Sequence, residues 1–336
     1  MRRIFRFIKR HRRTFALGTA TIALLGAVFL YFWVFHDLPP VQNVQAGLKL
    51  PSTRIYDRNG ALLYEISAPE QGRSTPLSLE DIPQHCVNAF VATEDANYWT
   101  HPGVDIQGIL RALWINIRGG DIIAGGSTIT QQTARLLLLD PNQQAARTLQ
   151  RKLKEAVLAI RLQHATSKED VLAMYLNQTY FGNLSYGLEA AARAYFSKSA
   201  VDLSLAECAL LAGMAQNAVL HDPLTNYESA KSRQEVALRL MVQYDYITQA
   251  QADAAKNDEL QFGSTRFPID APHFVMAVWK QLERTYPEQL YNGGLEVITT
   301  VDATWQRTAQ QVAQRQLNLI NHPPAGAGVP ANANNA

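Results

Sequence analysis

RTLQRKLKEAVLAIRLQ, residues 147–163, sets the fold class. Its apolar residues recur at three- and four-residue steps, the period of one face of an α-helix. An advance of about 100° per residue places Arg147, Arg151 and Glu155 within about 80° of one another, with Lys154 beside Arg147. Leu149, Leu153, Ala156, Val157 and Ile160 fall on the opposite arc. That arc is expected to bury, leaving the charged face open. By the same geometry Lys152 points more than about 90° away from Arg147. Two or three cations around one carboxylate are, by themselves, an ordinary solvated helix face.

Helical spacing extends in both directions. LEDIPQHCVNAFVATED (79–95), DIQGILRALWINI (105–117) and TQQTARLLLL (130–139) precede that segment, while KEDVLAMYLNQ (168–178), GLEAAARAYF (187–196) and LAECALLAGMAQ (205–216) follow it. Asp105, Ser167 and Ser204 stand where N-caps belong. Upstream, STRIYDRNGALLYEIS (52–67) sets Asn59-Gly60 between alternating apolar runs, which predicts a hairpin with a two-residue turn. Downstream, APHFVMAVWKQLERTY (271–286) reads as a helix, GGLEVITTVD (293–302) as a strand and TWQRTAQQVAQRQLNLI (304–320) as a further helix. A loop-like tail, HPPAGAGVPANANNA (322–336), ends the chain, so this last segment is expected to open a further domain.

The net charge of +2 hides an asymmetry. Seven Arg/Lys and no acid lie in MRRIFRFIKRHRR (1–13), leaving 24 basic against 29 acidic residues, or −5, for the rest. The basic balance therefore gives no reason to expect nucleic acid. FALGTATIALLGAVFLYFWVF, Phe15–Phe35, is 21 residues without a charge, and about 20 apolar residues span a bilayer as a helix. A cleavable signal peptide has a shorter apolar core and a small-residue cleavage site. Here the run ends in Tyr31-Phe32-Trp33-Val34-Phe35, aromatics suited to a membrane interface. A retained single-pass anchor is expected, with the basic tail cytoplasmic and the bulk of the chain outside the cytoplasm. Cys86 and Cys208 are far apart in sequence. A disulfide in an oxidising compartment and two buried thiols both fit them, and neither has metal-ligand spacing.

Two further stretches carry polar groups of catalytic type. GGSTITQQTA (125–134) is a glycine-led, donor-rich loop opening a helix, where free N–H groups and hydroxyls suit a phosphate oxygen. It lacks the Gly-Lys-Ser/Thr of a P-loop. ATEDANYWTHPGVD (92–105) carries Glu94 and Asp95 side by side. Adjacent helical residues diverge by about 100°, so only one of the pair faces a given site and the other is structural.

In chain order, Glu94-Asp95 with His101-Pro102-Gly103-Val104-Asp105, then GGSTITQQ, RKLKE, KEDVLAMYLNQTYFG and YGLEAAARAYFSKSAVDLSLAE resemble the five signature blocks of glycosyltransferase family 51. These are the peptidoglycan glycosyltransferases, found as monofunctional enzymes and as the first catalytic domain of class A penicillin-binding proteins. The resemblance runs from Leu77 to Leu260, and STRIYDRNG and GGLEVITTVD are similar to the flanks of that domain. It implies a mainly α fold, with a lysozyme-like helical lobe plus a small membrane-proximal lobe and an N-terminal transmembrane helix. The expected division is a cytoplasmic basic tail over 1–14, the anchor over 15–36, a stem with a β-hairpin over 37–74, the glycosyltransferase domain over 75–265, and, over 266–336, a linker and the start of a missing transpeptidase-like domain.

The implied reaction polymerises lipid II. A growing glycan held at C1 by undecaprenyl diphosphate passes to the 4-hydroxyl of an incoming lipid II, with inversion. By position, Glu94 matches the base. Glu155 matches the second essential carboxylate, which orients cations or helps hold a divalent cation, Mg²⁺ or Mn²⁺, across the diphosphate. Arg147, Arg151 and Lys152 match the cations that stabilise the leaving diphosphate. Ser127, Thr128, Gln131 and Gln132 match the donor-site lining, Arg111 and Arg135 match further basic positions, and Asn177 is expected to bond backbone near the site. Implied partners are lipid II, lipid-linked glycan, the membrane and other cell-wall synthesis proteins; the implied location is the bacterial cell membrane.

Departures from the family pattern are local. Arg135 stands where most relatives carry Lys. Ser197 replaces the usual Gly at a turn after Phe196. AQNAVLHDP (215–223) replaces a PQAPS-like run, which affects donor-site contacts near Gln216 to Val219. ALWINIRGGDIIAGG (112–126) presents Leu113, Trp114, Ile115, Ile117, Ile122 and Ile123, either buried or dipping into the outer leaflet. No Ser has Lys three residues on and no Lys-Thr-Gly occurs, so no transpeptidase activity is expected of this chain. The rival readings are a lysozyme-like glycoside hydrolase, against which the cation cluster argues, and an inactive membrane-anchored scaffold.

Overall fold

The computed structural model describes residues 12–44, 48, 51–67, 72–119, 126–140, 143–144, 146, 148–263, 270–292 and 294–322. This part is mainly α, as expected, with short strands. The chain forms two compact units, Met1–Leu48 with Phe90–Tyr175, and Lys49–Ala89 with Leu176–Ala336.

The first unit begins with α1 (Arg12–Leu30), which continues through a π-helical turn at Tyr31–Phe35. Leu17–Phe35 is the one described helix long and apolar enough to cross a membrane, and residues 19–30 are exposed all round. Its other helices are α2 (Gln84–Glu94) from Phe90 onward, α3 (Ile106–Gly119), α4 (Ile129–Leu138), α5 (Leu149–Ala165) and α6 (Lys168–Gln178) as far as Tyr175. Phe90, Tyr98, Ile129, Leu158, Leu162, Leu172 and Tyr175 form buried apolar positions between them. Short polar side chains begin the helices as read from sequence. Asp105 Oδ1 accepts the Gly108 N–H at 2.9 Å, and Ser167 Oγ accepts the Asp170 N–H at 3.0 Å.

The faces of α5 differ from expectation. Lys154, Glu155, Leu158, Ala159 and Leu162 are its buried residues, whereas Leu149 is 68% and Ile160 40% exposed. The charged side goes inward because its charges are paired there, Glu155 by Arg151 and Lys152, and Lys154 by Asp37. Periodicity weighs apolar residues and is blind to that pairing.

In the second unit, β1 (Thr53–Tyr56) and β2 (Leu62–Ile66) form the antiparallel hairpin. The two-residue turn expected at Asn59-Gly60 is a longer loop. Asp57 N–H donates to Ala61 O at 2.8 Å and Gly60 N–H to Asp57 O at 3.2 Å, which leaves three residues between the paired ends. Gly60, at φ 86°, supplies the left-handed step that such loops place last. Asp57 explains the preference: its Oδ1 accepts from the N–H groups of Asn59 and Ala61, both at 2.8 Å. β5 (Glu296–Ile298), within the strand expected at 293–302, pairs parallel to β1, giving the order β2-β1-β5. α11 (Pro272–Thr285), α12 (Pro287–Asn292) and α13 (Ala303–Asn321) bury Val275, Leu282, Leu290 and Ala303 against Ile55, Leu63 and Ile66.

The rest of this unit is helical, with β3 (Arg73–Ser74) parallel to β4 (Ser185–Tyr186), then α7 (Leu188–Phe196), α8 (Leu205–Met214), α9 (Tyr227–Gln243) and α10 (Gln249–Asn257). Cys86 and Cys208 are joined in a disulfide, so of the two options left open by sequence the bridge is the one found. Asn177 bonds backbone as expected, accepting the Leu77 N–H at 2.9 Å and donating to Leu77 O at 2.8 Å. Ser197 ends α7 in the left-handed region, φ 57° and ψ 30°, the conformation that makes Gly usual there.

Candidate active site

Glu94 and Asp95 diverge as helical geometry requires. Asp95 is buried and accepts from His101 Nε2 at 2.9 and 3.0 Å and from the Ile129 N–H at 3.0 Å. His101 Nδ1 accepts the Gly103 N–H at 3.1 Å, so the ring proton offered to Asp95 sits on Nε2. Gly103, at φ 102°, lies directly on α5, where a Cβ would meet Ala159 O at 2.7 Å. Its carbonyl accepts from Thr128 Oγ1 at 2.6 Å. The loop after α2, the start of α4 and the middle of α5 are thereby tied together, with Asp95 as the structural partner of the acidic pair.

Glu94 is half-buried, and its Oε2 accepts a 2.7 Å hydrogen bond from Gln132 Nε2 on α4. Thr128 and Gln131 are both buried in the capping box of α4: the Gln131 N–H donates to Thr128 Oγ1 at 3.1 Å, and the Thr128 N–H donates to Gln131 Oε1 at 2.9 Å. Of the residues matched to a donor site, Gln132 therefore holds Glu94, and Thr128 with Gln131 shapes the start of the helix that carries it.

Glu155 is 1% exposed. Its Oε1 is paired with Arg151 Nη1, one helical turn back, and its Oε2 with Lys152 Nζ at 3.1 Å. Lys152 also donates to Ser127 Oγ at 2.5 Å. Lys152 and Glu155 are i,i+3 neighbours about 60° apart on the helix, so the ammonium reaches this carboxylate directly, whatever its angle to Arg147. Arg111 is exposed on α3, and Arg135 is half-buried in the last turn of α4. Arg147, Ile122 and Ile123 lie outside the described residues, as do the side chains of Leu113, Ile115 and Ile117. Trp114 is 58% exposed and shares one face of α3 with exposed Ile106 and Leu110.

Contacts on the anchor-side face of α5 were not anticipated from sequence. Lys154 Nζ donates to Asp37 Oδ2 at 2.6 Å, and Gln150 Nε2 donates to Trp33 O at 2.6 Å. That hydrogen bond from Lys154 holds the Asp37 carboxyl below its ordinary range. For Asp105 burial acts the other way, yet the hydrogen bonds from Gly108 and Asn97, with His101 and Arg111 nearby, leave its carboxyl lowered as well.

One carboxylate held by a side-chain amide, and a second locked between two cations beside a hydroxyl, form a polar, cation-bearing site on α2, α4 and α5. Residues 59–242 match the Transglycosylase family model. Penicillin-binding protein 1A of Aquifex aeolicus is 35% identical over 304 residues, covering 90% of this chain and 41% of that protein. The Vibrio cholerae protein of the same name is 35% identical over 316 residues, covering 93% and 37%, and that of Escherichia coli is 34% identical over 296 residues, covering 87% and 34%. A crystal structure of penicillin-binding protein 1A from Haemophilus influenzae is similar at 24% identity and a TM-score of 0.41, over 82% of this chain and 31% of that one. The chain belongs to the transglycosylase family, the peptidoglycan glycosyltransferases. It spans about two fifths or less of the length of these curated relatives.

Proposed function

We propose that this chain polymerises lipid II into glycan strands, inverting at C1 and releasing undecaprenyl diphosphate, within a glycosyltransferase domain over 75–265. The observation that carries the reading is the cluster of Glu155, Arg151, Lys152 and Ser127. A diphosphate leaving group needs no proton, but its growing negative charge needs fixed cations, and Arg151 and Lys152 are held in place by the carboxylate between them. Arg147, Arg111 and Arg135 add positive charge for the same substrate. Glu94 takes the proton of the acceptor hydroxyl, with its carboxylate positioned by the hydrogen bond from Gln132.

A divalent cation, Mg²⁺ or Mn²⁺, would neutralise diphosphate charge in such a reaction. Glu155 does not fit as its ligand, because both of its oxygens are engaged by cations and it is closed to solvent. A metal would instead be held by substrate oxygens. The Cys86–Cys208 disulfide supports an extracytoplasmic domain, since such bridges persist in oxidising compartments. The anchor of Leu17–Phe35 and the exposed Trp114 face then lie at the membrane that delivers the lipid substrate.

Incubation with purified lipid II tests the reading. Formation of glycan polymer with release of undecaprenyl diphosphate supports it. Clipping of preformed glycan without polymer formation would instead favour a lysozyme-like hydrolase.

A further inference from the structure

The face of α5 beside the cation cluster grips the end of the membrane anchor. Helix ends leave carbonyls without intrahelical partners. At the end of the anchor the Leu38 N–H turns to Phe35 O, and Trp33 O accepts from Gln150 Nε2 at 2.6 Å. Four residues on from Gln150, Lys154, 6% exposed, pairs with Asp37 at 2.6 Å. Asp37 is an acid at the C-terminal end of a helix, where the backbone dipole disfavours negative charge, so the ammonium answers a local need. These two anchor-binding residues interleave with Arg151, Lys152 and Glu155 on the same two turns of α5. A buried lysine whose partner sits at the membrane surface is an expensive feature for a helix that needs only packing.

We propose that Lys154 and Gln150 are positioning residues, which fix α5 against the end of the membrane anchor and so hold Arg151 and Lys152 in register for a lipid-linked diphosphate. The proposal rests on the polymerase reading for its consequence, though not for the contact itself. The anchor is then part of the site's geometry as well as a tether. A helix shifted by a fraction of an ångström misplaces both cations at once, and misplacement of about 1 Å costs on the order of 100-fold in rate.

The test uses the full chain in phospholipid vesicles. Lys154→Met and Asp37→Asn are each expected to lower kcat on lipid II by about 5- to 20-fold, with KM within about twofold. The double variant is expected to fall no further than the weaker of the two, since both remove one contact. The charge swap Asp37→Lys with Lys154→Asp is expected to recover a good part of the loss, which assigns the loss to this ion pair. Amide hydrogen exchange over 149–156 is measured on the same samples and is expected to quicken in Lys154→Met. Singles that multiply, or a kcat unchanged while exchange is also unchanged, would overturn the proposal. If wild type fails to polymerise lipid II, the polymerase reading fails, and exchange alone decides the contact: quickened supports it, unchanged overturns it.

Discussion

The carboxylate of Glu94 at the end of α2 accepts a 2.7 Å hydrogen bond from the side-chain amide of Gln132 on α4. α4 is itself fixed by the Ile129 N–H bond to Asp95 and by the Thr128 bond to the Gly103 carbonyl. The position of the proposed base thus depends on a residue matched from sequence only to donor-site lining. Gln132→Met keeps the volume of the side chain and removes the donor. Polymerisation of lipid II should drop by about 10- to 100-fold with the melting temperature nearly unchanged. A rate within twofold of wild type would show that Glu94 needs no such support.

Arg151 shares Glu155 with Lys152, so its loss leaves a buried carboxylate with one partner. Full orphaning of a buried charge costs about 3–5 kcal/mol, and with Lys152 remaining Arg151→Met should cost less, about 1–3 kcal/mol. Chemical denaturation measures this. Activity should fall far more than stability does, because the variant removes a cation from the diphosphate side. Equal loss in Arg151→Met and in Arg239→Met, a control exposed on α9, would contradict the placement.

Ser197 holds φ 57° at the end of α7. A left-handed conformation costs a non-glycine residue roughly 1–2 kcal/mol, and glycine gives back roughly 0.5–1 kcal/mol in unfolded-state entropy. Ser197→Gly should therefore raise the melting temperature by a few degrees, and Ser197→Val should lower it. The opposite order would mean that the Ser197 hydroxyl has a stabilising role greater than the backbone strain.

Cys86 and Cys208 close a loop with a sequence separation of 122. Replacing both with Ala should lower unfolding free energy by about 2–4 kcal/mol, and added reductant should destabilise wild type while leaving the double variant unmoved. Melting curves with and without dithiothreitol check both statements.

Asp105 caps α3, and its carboxyl is held below the usual range by Gly108 and Asn97 against the opposing effect of burial. A depressed folded value means that the cap's contribution is complete above the unfolded carboxyl value of about 3.9 and is lost as pH falls through the folded one. Amide protection in the first turn of α3 should therefore decline below about pH 4 in wild type. In Asp105→Asn that part of the pH dependence should vanish.

Much of this was legible in the sequence. The helices from 79 to 216, the apolar anchor and the split between Glu94 and Asp95 follow from spacing, and the caps at Asp105, Ser167 and Ser204, whose Oγ accepts the Glu207 N–H, follow from short polar side chains at helix starts. What periodicity could not supply was which buried charges find partners. α5 turns its charged stripe inward because Arg151 and Lys152 reach Glu155 and Lys154 reaches Asp37, contacts between side chains up to 117 positions apart. The hairpin loop departs from its expected length for a related reason. Asn59-Gly60 suits a two-residue turn, but Asp57 binds two backbone N–H groups and so pulls the loop one residue longer. Lys152 meets Glu155 at ordinary i,i+3 spacing, a contact that measuring its angle from Arg147 alone does not bring out.

The most direct test of the central claim is lipid II polymerisation by Glu94→Gln beside Asp95→Asn, each checked for native melting behaviour. If Glu94 is the base, Glu94→Gln should lose at least about 100-fold in kcat while remaining as stable as wild type. Asp95→Asn should lose stability first, as its bonds to His101 and Ile129 weaken. A folded Glu94→Gln protein that polymerises lipid II at close to the wild-type rate would contradict the account.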